Sequence, residues 1–186
     1  FLDGSPSALI LGDNIFYRDR LTETLRQASS QFSGGSVFGF RVNDPARFGV
    51  AGFNPHGELT QIVEKPVIPP SSYAVVGLYF LDGDAPNRAK SITVSERGEL
   101  EITDLLMSYV REKSMQFHKL GRGTMWLDAG SHDSLLAAGN YVRLIQDVQA
   151  ISICSPDEVA YRSNWITDEQ LMDTYTKFSK TEYGQY

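Results

Sequence analysis

The chain has little of what marks extracellular, membrane or nucleic-acid-binding proteins. Its 186 residues include one cysteine, Cys154, which excludes an internal disulfide framework and any zinc site made of cysteines alone. No apolar run approaches the roughly 20 residues of a membrane-spanning helix, and no signal-peptide pattern opens the chain. A cytoplasmic protein without a membrane partner is expected. Basic residues number 17 against 23 acidic ones, for a net charge of −6, and they form no cluster, so a nucleic acid polymer is excluded as a partner. A single nucleotide is not, since a few local groups and a divalent cation suffice to hold one. There is no Gly-x-x-x-x-Gly-Lys-Ser/Thr loop, and Gly121-Arg-Gly123 departs from the dinucleotide fingerprint at Trp126. His56, His118 and His132 show no ligand spacing.

What is present centres on Ser7-Ala-Leu-Ile-Leu-Gly-Asp-Asn-Ile-Phe16. Ala8 to Leu11 reads as a strand buried on both faces. Gly12 frees the turn, and Asp13 and Asn14 follow at the strand's carboxyl end, where open α/β sheets put ligands. A helix with Leu21, Leu25 and Ala28 on one face is expected over residues 20–31, followed by a strand over 36–41, a strand-helix-strand unit of crossover length. Residues 48–53 and 59–63 read as a hairpin, 73–81 as an apolar strand interrupted at Gly77, and 85–90 and 103–112 as helices. Strands are expected over 115–120 and up to Asp128, and a long helix over 131–148. Ser155-Pro-Asp-Glu158 and Thr167-Asp-Glu-Gln170 read as capping boxes, making about 155–186 a helical tail on a single domain spanning 1–186. The fold class is α/β, a mixed and mostly parallel sheet with helices on both faces.

On pattern alone the candidate residues carry two readings each. Asp13 and Asp128 both end apolar strands beside a glycine or tight turn. They could converge on Mg²⁺, or each could cap the element that follows. Glu64-Lys65 could receive a sugar phosphate, or be an exposed ion pair. Glu99 and Glu101 could line a sugar-contacting edge or a solvated strand rim. Asp82-Gly-Asp84 follows an apolar strand, as the metal motif of a glycosyltransferase would, and is equally a turn sequence.

Leu11-Gly-Asp-Asn-Ile-Phe-Tyr17 resembles the central motif of glucose-1-phosphate thymidylyltransferases, members of the nucleotidyltransferase superfamily. Val42-Asn-Asp-Pro45, Val63-Glu-Lys-Pro66, Tyr73-Ala-Val-Val-Gly-Leu-Tyr-Phe80, Arg97-Gly-Glu-Leu-Glu-Ile-Thr-Asp104, Trp126-Leu-Asp-Ala-Gly130 and Tyr183-Gly-Gln-Tyr186 continue the match in order. The family's opening Gly-rich loop and its active-site lysine have no counterpart, and the chain starts at Phe1. The resemblance therefore implies the carboxyl-terminal part of a longer enzyme, lacking its Rossmann-like amino-terminal portion and inactive alone. If Phe1 were the true start, a non-catalytic sugar-phosphate-binding or assembly module would be the alternative.

The resemblance implies that dTTP and glucose 1-phosphate give dTDP-glucose and pyrophosphate, the entry to dTDP-rhamnose and surface polysaccharides. It makes Asp13 and Asp128 the magnesium ligands, with Lys65 a further catalytic residue. Gly49, Glu64, Lys65 and Val75 would contact the hexose phosphate, and Asn14 the nucleotide or product. It also implies a homotetramer. Departures are mild: Arg18 and Phe48 stand where glycine and tyrosine are frequent, and Ala129-Gly130-Ser131 where Thr-Gly-Thr is.

Overall fold

The computed structural model describes residues 2–30 and 33–186, which fall into two compact units, one up to Ala129 and one from Gly130 to Tyr186. The first holds β1 (Ser7–Ile10), β2 (Asn14–Tyr17), α1 (Leu21–Ser29), β3 (Gly35–Arg41), β4 (Gly49–Phe53) and β5 (Leu59–Glu64). It continues through β6 (Tyr73–Leu81), α2 (Ala85–Ser91), α3 (Ile102–Arg111), β7 (Met115–Lys119) and β8 (Met125–Asp128). The main sheet runs β5-β4-β6-β3-β7, with β1 also paired to β6, while β2 and β8 form a separate two-stranded ribbon. β6 is long enough to take β4 at Ala74 and β1 at Leu78–Leu81, with β3 paired along it as well.

The α/β class stands, but the expected parallel majority does not. Among the described strands β3–β7 is the one parallel pair, and β1–β6, β3–β6, β4–β6, β4–β5 and β2–β8 are antiparallel. The crossover through α1 does leave β1 and β3 parallel, but β6 lies between them and opposes each. β1 was expected to be buried on both faces; instead Leu9 and Ile10 are 41% and 57% exposed, and Leu11 has left the strand. The predicted end of α1 at Gln31 lies outside the described residues.

Period-two alternation along β6 feeds both faces of the sheet. Val75, Tyr79 and Leu81 pack with Val37, Ala51 and Ile62 against Leu105, Leu106, Tyr109 and Val110 of α3. Ala74, Val76 and Leu78 lie in a second core with Phe38, Ala28 of α1 and Trp126 of β8. At the end of β6, Asp82 accepts from Gly34 N–H (2.6 Å), Asp84 N–H (3.1 Å) and Tyr109 O–H (2.8 Å). Burial would raise its pKa, but these bonds and the nearby Arg88 hold it below the usual carboxylate value. Asp84 accepts from Asn87 (3.1 Å) and pairs with Arg88 (3.0 Å). Asp82-Gly-Asp84 is thus a turn whose two carboxylates are engaged by neighbouring protein groups, Asp82 half-buried and Asp84 at the surface, against the glycosyltransferase alternative.

The second unit is helical: α4 (His132–Gln149), α5 (Pro156–Arg162), α6 (Asp168–Phe178) and α7 (Glu182–Gln185). Ser131 and Thr167 cap α4 and α6 through reciprocal bonds with Ser134 and Gln170. Ser155 makes half of the expected box: its hydroxyl accepts from Glu158 N–H, while the Glu158 carboxylate turns to Arg162 (2.7 Å) and Tyr186 O–H (3.0 Å). Tyr183 O–H donates to the Asp157 carboxylate, so Tyr183-Gly-Gln-Tyr186 is tied to the start of α5.

Candidate active site

The site begins with a turn docked on one peptide group of β6. Leu11 N–H donates to Gly77 C=O (2.9 Å), and Gly77 N–H donates to Asn14 Oδ1 (3.0 Å). Asn14 N–H closes the turn on Leu11 C=O (3.1 Å). A β-carbon on Gly77 would stand 2.6 Å from Leu11 Cγ and Cδ1, so glycine is what lets the turn lie this close. The interruption of the apolar strand at Gly77 is this docking point.

From Asn14 the chain enters β2, a strand that the sequence reading missed. Its four residues gain strand geometry from Met125–Asp128, a partner far along the chain, with Asn14 opposite Asp128. Ala129 N–H donates to Asp13 C=O (2.7 Å), continuing the pairing past the strand end. Asp13 and Asp128 are therefore neighbours across the ribbon, although Asp13 sits in the turn rather than at a strand end. Asp13 is exposed and Asp128 half-buried. Asn14 links Asp13 to the core: its Nδ2 donates to Asp13 Oδ1 (2.9 Å), and its Oδ1 accepts from Trp126 Nε1 (2.6 Å).

Two carboxylates with hard oxygen donors suit Mg²⁺, which takes one or two carboxylates and fills its octahedron with water and phosphate. Among the described residues no third His, Cys, Asp or Glu gathers with them into a larger metal cage. The donor set fits such an ion.

The second cluster lies at the end of the β4–β5 hairpin. Gly49 faces Glu64 in register, and a β-carbon there would meet Thr103 Cγ2 at 2.9 Å and Glu64 Oε2 at 3.3 Å. Arg97 reaches Glu101 (3.1 Å), Glu99 (3.4 Å) and Glu64 (3.7 Å), and the Thr103 hydroxyl hydrogen-bonds Glu64. Burial, and then the charge of Glu101, push the Glu64 carboxyl above its ordinary pKa, against the opposing pull of Lys65, Arg97 and Thr103. Burial and the charge of Glu64 raise the Tyr79 hydroxyl to about 12. Glu64, Arg97, Glu101, Thr103 and Asp104 line part of an open groove of about 290 Å³. Lys65 is exposed, with a left-handed backbone (φ 39°) uncommon outside glycine, held by Lys65 N–H to Phe48 C=O (3.0 Å).

The hairpin cluster reaches the Asp13 cluster through packing. Phe48, whose carbonyl holds Lys65, sets its ring edge-to-face on Trp126 at 5.1 Å, and Trp126 bonds Asn14. Asp13, Asn14 and Asp128 come together, and so do Gly49, Glu64 and Lys65. Val75 joins neither polar cluster; it is 7% exposed and packed in the α3-side core. The 97–101 stretch is a turn and not a strand rim, with Glu101 8% exposed. Arg97, Thr103 and Tyr79 were missed as site residues. For Arg97 the signal was present, a lone cation with acids two and four residues on.

A mixed sheet carrying an acid-bearing turn at one strand and a mixed-charge groove beside it defines a nucleotide-sugar transferase-like protein. The chain belongs to the nucleotidyl transferase family, whose model matches residues 1–143. It is 48% identical over its full length to a glucose-1-phosphate thymidylyltransferase of Xanthomonas campestris pv. campestris (strain B100), covering 63% of that protein. It is 44% identical over its full length to that of Neisseria meningitidis serogroup A, covering 65%, and 43% identical over 96% of its length to that of Mycobacterium tuberculosis, covering 62%. The chain thus spans somewhat under two thirds of these relatives. In structure it is similar to a candidate glucose-1-phosphate thymidylyltransferase from Bacillus anthracis in complex with a sucrose, at a TM-score of 0.67 and 37% identity, over 76% of this chain and 56% of that one. An apo UDP-glucose pyrophosphorylase shares the fold at a TM-score of 0.66 and 22% identity, over 75% of this chain and 55% of that one.

Proposed function

We propose that the full-length protein containing this chain is a glucose-1-phosphate thymidylyltransferase. The phosphate oxygen of glucose 1-phosphate attacks the α-phosphorus of dTTP, and the bond to the β,γ-diphosphate breaks. Pyrophosphate leaves, and the dTDP-glucose formed is the precursor for dTDP-rhamnose and surface polysaccharides. The reading is supported by the β2–β8 ribbon, which sets Asn14 opposite Asp128 and bonds Ala129 N–H to Asp13 C=O, leaving the two acids one register position apart.

Asp13 and Asp128 would hold Mg²⁺, which supplies charge neutralisation on the phosphates during in-line displacement. Lys65 meets the sugar phosphate as an exposed cation, and Glu64 accepts from sugar hydroxyls. Gly49 leaves room beside Glu64. Val75, buried in the α3-side core, is read as a further contact to the hexose phosphate, and Asn14, bonded to Asp13, as a contact to the nucleotide or product. No general base is needed, since the attacking phosphate is already ionised. The protein is further read as one cytoplasmic nucleotidyltransferase domain that assembles as a homotetramer; light scattering on the full-length protein tests the assembly.

The test of activity is pyrophosphate release by the full-length protein with dTTP, glucose 1-phosphate and Mg²⁺, with the sugar nucleotide identified by mass spectrometry. Turnover that EDTA abolishes is expected. Absence of dTDP-glucose under these conditions removes the reading.

A further inference from the structure

Arg97 meets three carboxylates, and the three are not alike. Its Nη1 stands 3.1 Å from Glu101 Oε1 and 3.7 Å from Glu64 Oε1, while Nη2 leans to Glu99 Oε2 at 3.4 Å. The Glu99 side chain is 62% exposed and that of Glu101 10%. A solvated pair contributes little, whereas a buried carboxylate needs its cation, so Glu101 is the anchor. Its Oε1 also accepts from the Ser95 hydroxyl (3.0 Å), whose oxygen in turn accepts Arg97 N–H (3.2 Å). Ser95 thus holds both the carboxylate and the backbone of the residue that the carboxylate holds. We infer that Glu101 is a positioning residue: with Ser95 it fixes the Arg97 guanidinium against Glu64, so that the groove presents a preset cation to an anionic sugar. The inference rests on the reading of this groove as the sugar-phosphate site.

The Glu101 carboxylate is directed here rather than to its own helix. Glu101 stands at the N-cap of α3 with an extended backbone (φ −85°, ψ 133°), yet its side chain makes no cap bond. A side-chain oxygen at that position ordinarily takes the N–H of the second or third helical residue. The Glu101 side chain instead turns back to the loop before it. That loop is closed on itself: Ser95 N–H donates to Glu99 C=O (2.8 Å) and Gly98 N–H to Ser95 C=O (2.9 Å), with Gly98 left-handed at φ 80°. These bonds fix where the Arg97 side chain starts. With the rotamer freedom of an arginine, it needs a second hold at its far end, and Glu101 supplies one. Ser95, Arg97 and Glu101 line the same groove as Glu64, so the hold acts where the sugar phosphate is read to enter.

Glu101→Asp separates this role from a structural one. The shorter side chain keeps the charge and is a preferred N-cap acceptor, but it falls one methylene short of Arg97. In the full-length protein the unfolding temperature should be at or above the parent's. The KM for glucose 1-phosphate should rise about 5–30-fold, within the span of coupling inside one charge network, with the KM for dTTP within about twofold of the parent's. Arg97→Gln should raise the same KM, and adding Glu101→Asp to it should raise it no further, because the group acted on is gone. Phenylglyoxal, which modifies free guanidinium groups, reads the hold without activity: the Arg97 peptide, followed by mass spectrometry, labels faster in Glu101→Asp than in the parent. A parental KM for glucose 1-phosphate in Glu101→Asp overturns the inference, and so does unchanged labelling of Arg97. KM effects that multiply in the double variant also overturn it, since Glu101 would then meet the sugar itself. A raised KM that tracks a lowered unfolding temperature returns Glu101 to a structural role. If Arg97 labels faster in Glu101→Asp while Arg97→Gln keeps the parental KM for glucose 1-phosphate, the sugar-phosphate reading of the groove falls rather than the hold of Glu101 on Arg97.

Discussion

The two polar clusters of the first unit are built on opposite principles. Around Asp13 the charge is exposed and the support is neutral, made of directional hydrogen bonds from a glycine peptide, an indole and a carboxamide. Around Glu64 the acids are themselves drawn inward, Glu101 to 8% exposure, and are balanced by Arg97, Lys65 and Thr103. Neutral hydrogen bonds fix where a carboxylate points, whereas an ion cluster tunes how readily one ionises. The first arrangement suits holding a cation in one geometry. The second suits a groove in which the ionisation of a carboxylate is tuned by its neighbours.

Substitutions can break this contrast. The largest effect is expected for Asp13→Asn or Asp128→Asn in the full-length protein. Removing a charge that acts chiefly on the transition state costs about 10²–10³ in kcat, while thermal unfolding shifts by only a few degrees. Turnover intact with stability lowered by ~1 kcal/mol would assign both residues to capping. Lys65→Ala comes next. Loss of a charge-assisted contact of roughly 1.5–3 kcal/mol should raise the KM for glucose 1-phosphate well above any change for dTTP, and equal changes would take Lys65 out of the sugar site. Gly77→Ala tests the neutral scaffold. Its β-carbon collides with Leu11, so a stability loss of about 1–3 kcal/mol is expected from overpacking, with turnover reduced and the sugar-phosphate KM unchanged.

The smallest effect belongs to the ion cluster. Glu64 has a folded pKa raised above the ordinary 4.5, so the folded state holds its proton more tightly than the unfolded chain does. Its contribution to stability is complete below about pH 4.5 and is lost as pH rises through the raised value. Glu64→Gln should therefore match the parent in acid and become slightly more stable towards neutral pH, read as a gap in unfolding temperature that opens with pH. A gap of opposite sign would mean that Arg97 and Lys65 outweigh burial.

Local pattern reached most elements of the fold, and non-local pairing explains the misses. The β4–β5 hairpin, β6 and α3 carry their own signals in turn residues, alternation and an apolar helical face. β2 carries little beyond Ile15 and Phe16, and it is a strand because Met125–Asp128 lies beside it. Likewise the run Ala8 to Leu11 announced a strand, but not which neighbour it would take or how that neighbour would run. In the site, Asp13 and Asp128 were legible as acids after apolar runs. Thr103 and Tyr79 were not, because each looks like an ordinary member of a helix or strand until Glu64 is placed beside it.

β6 gives the site a built-in gauge. Its Gly77 peptide anchors the Asp13 turn, and its Tyr79, two residues further on, feels the charge of Glu64. The rise of a strand sets these two attachment points about 6–7 Å apart along one rigid backbone. Hinge motion elsewhere in the protein cannot stretch that interval, so the site's length scale is inherited from strand geometry. A ligand that bridges both clusters must fit that fixed spacing, and an insertion or deletion between Gly77 and Tyr79 would recalibrate the site without altering any of its chemical groups.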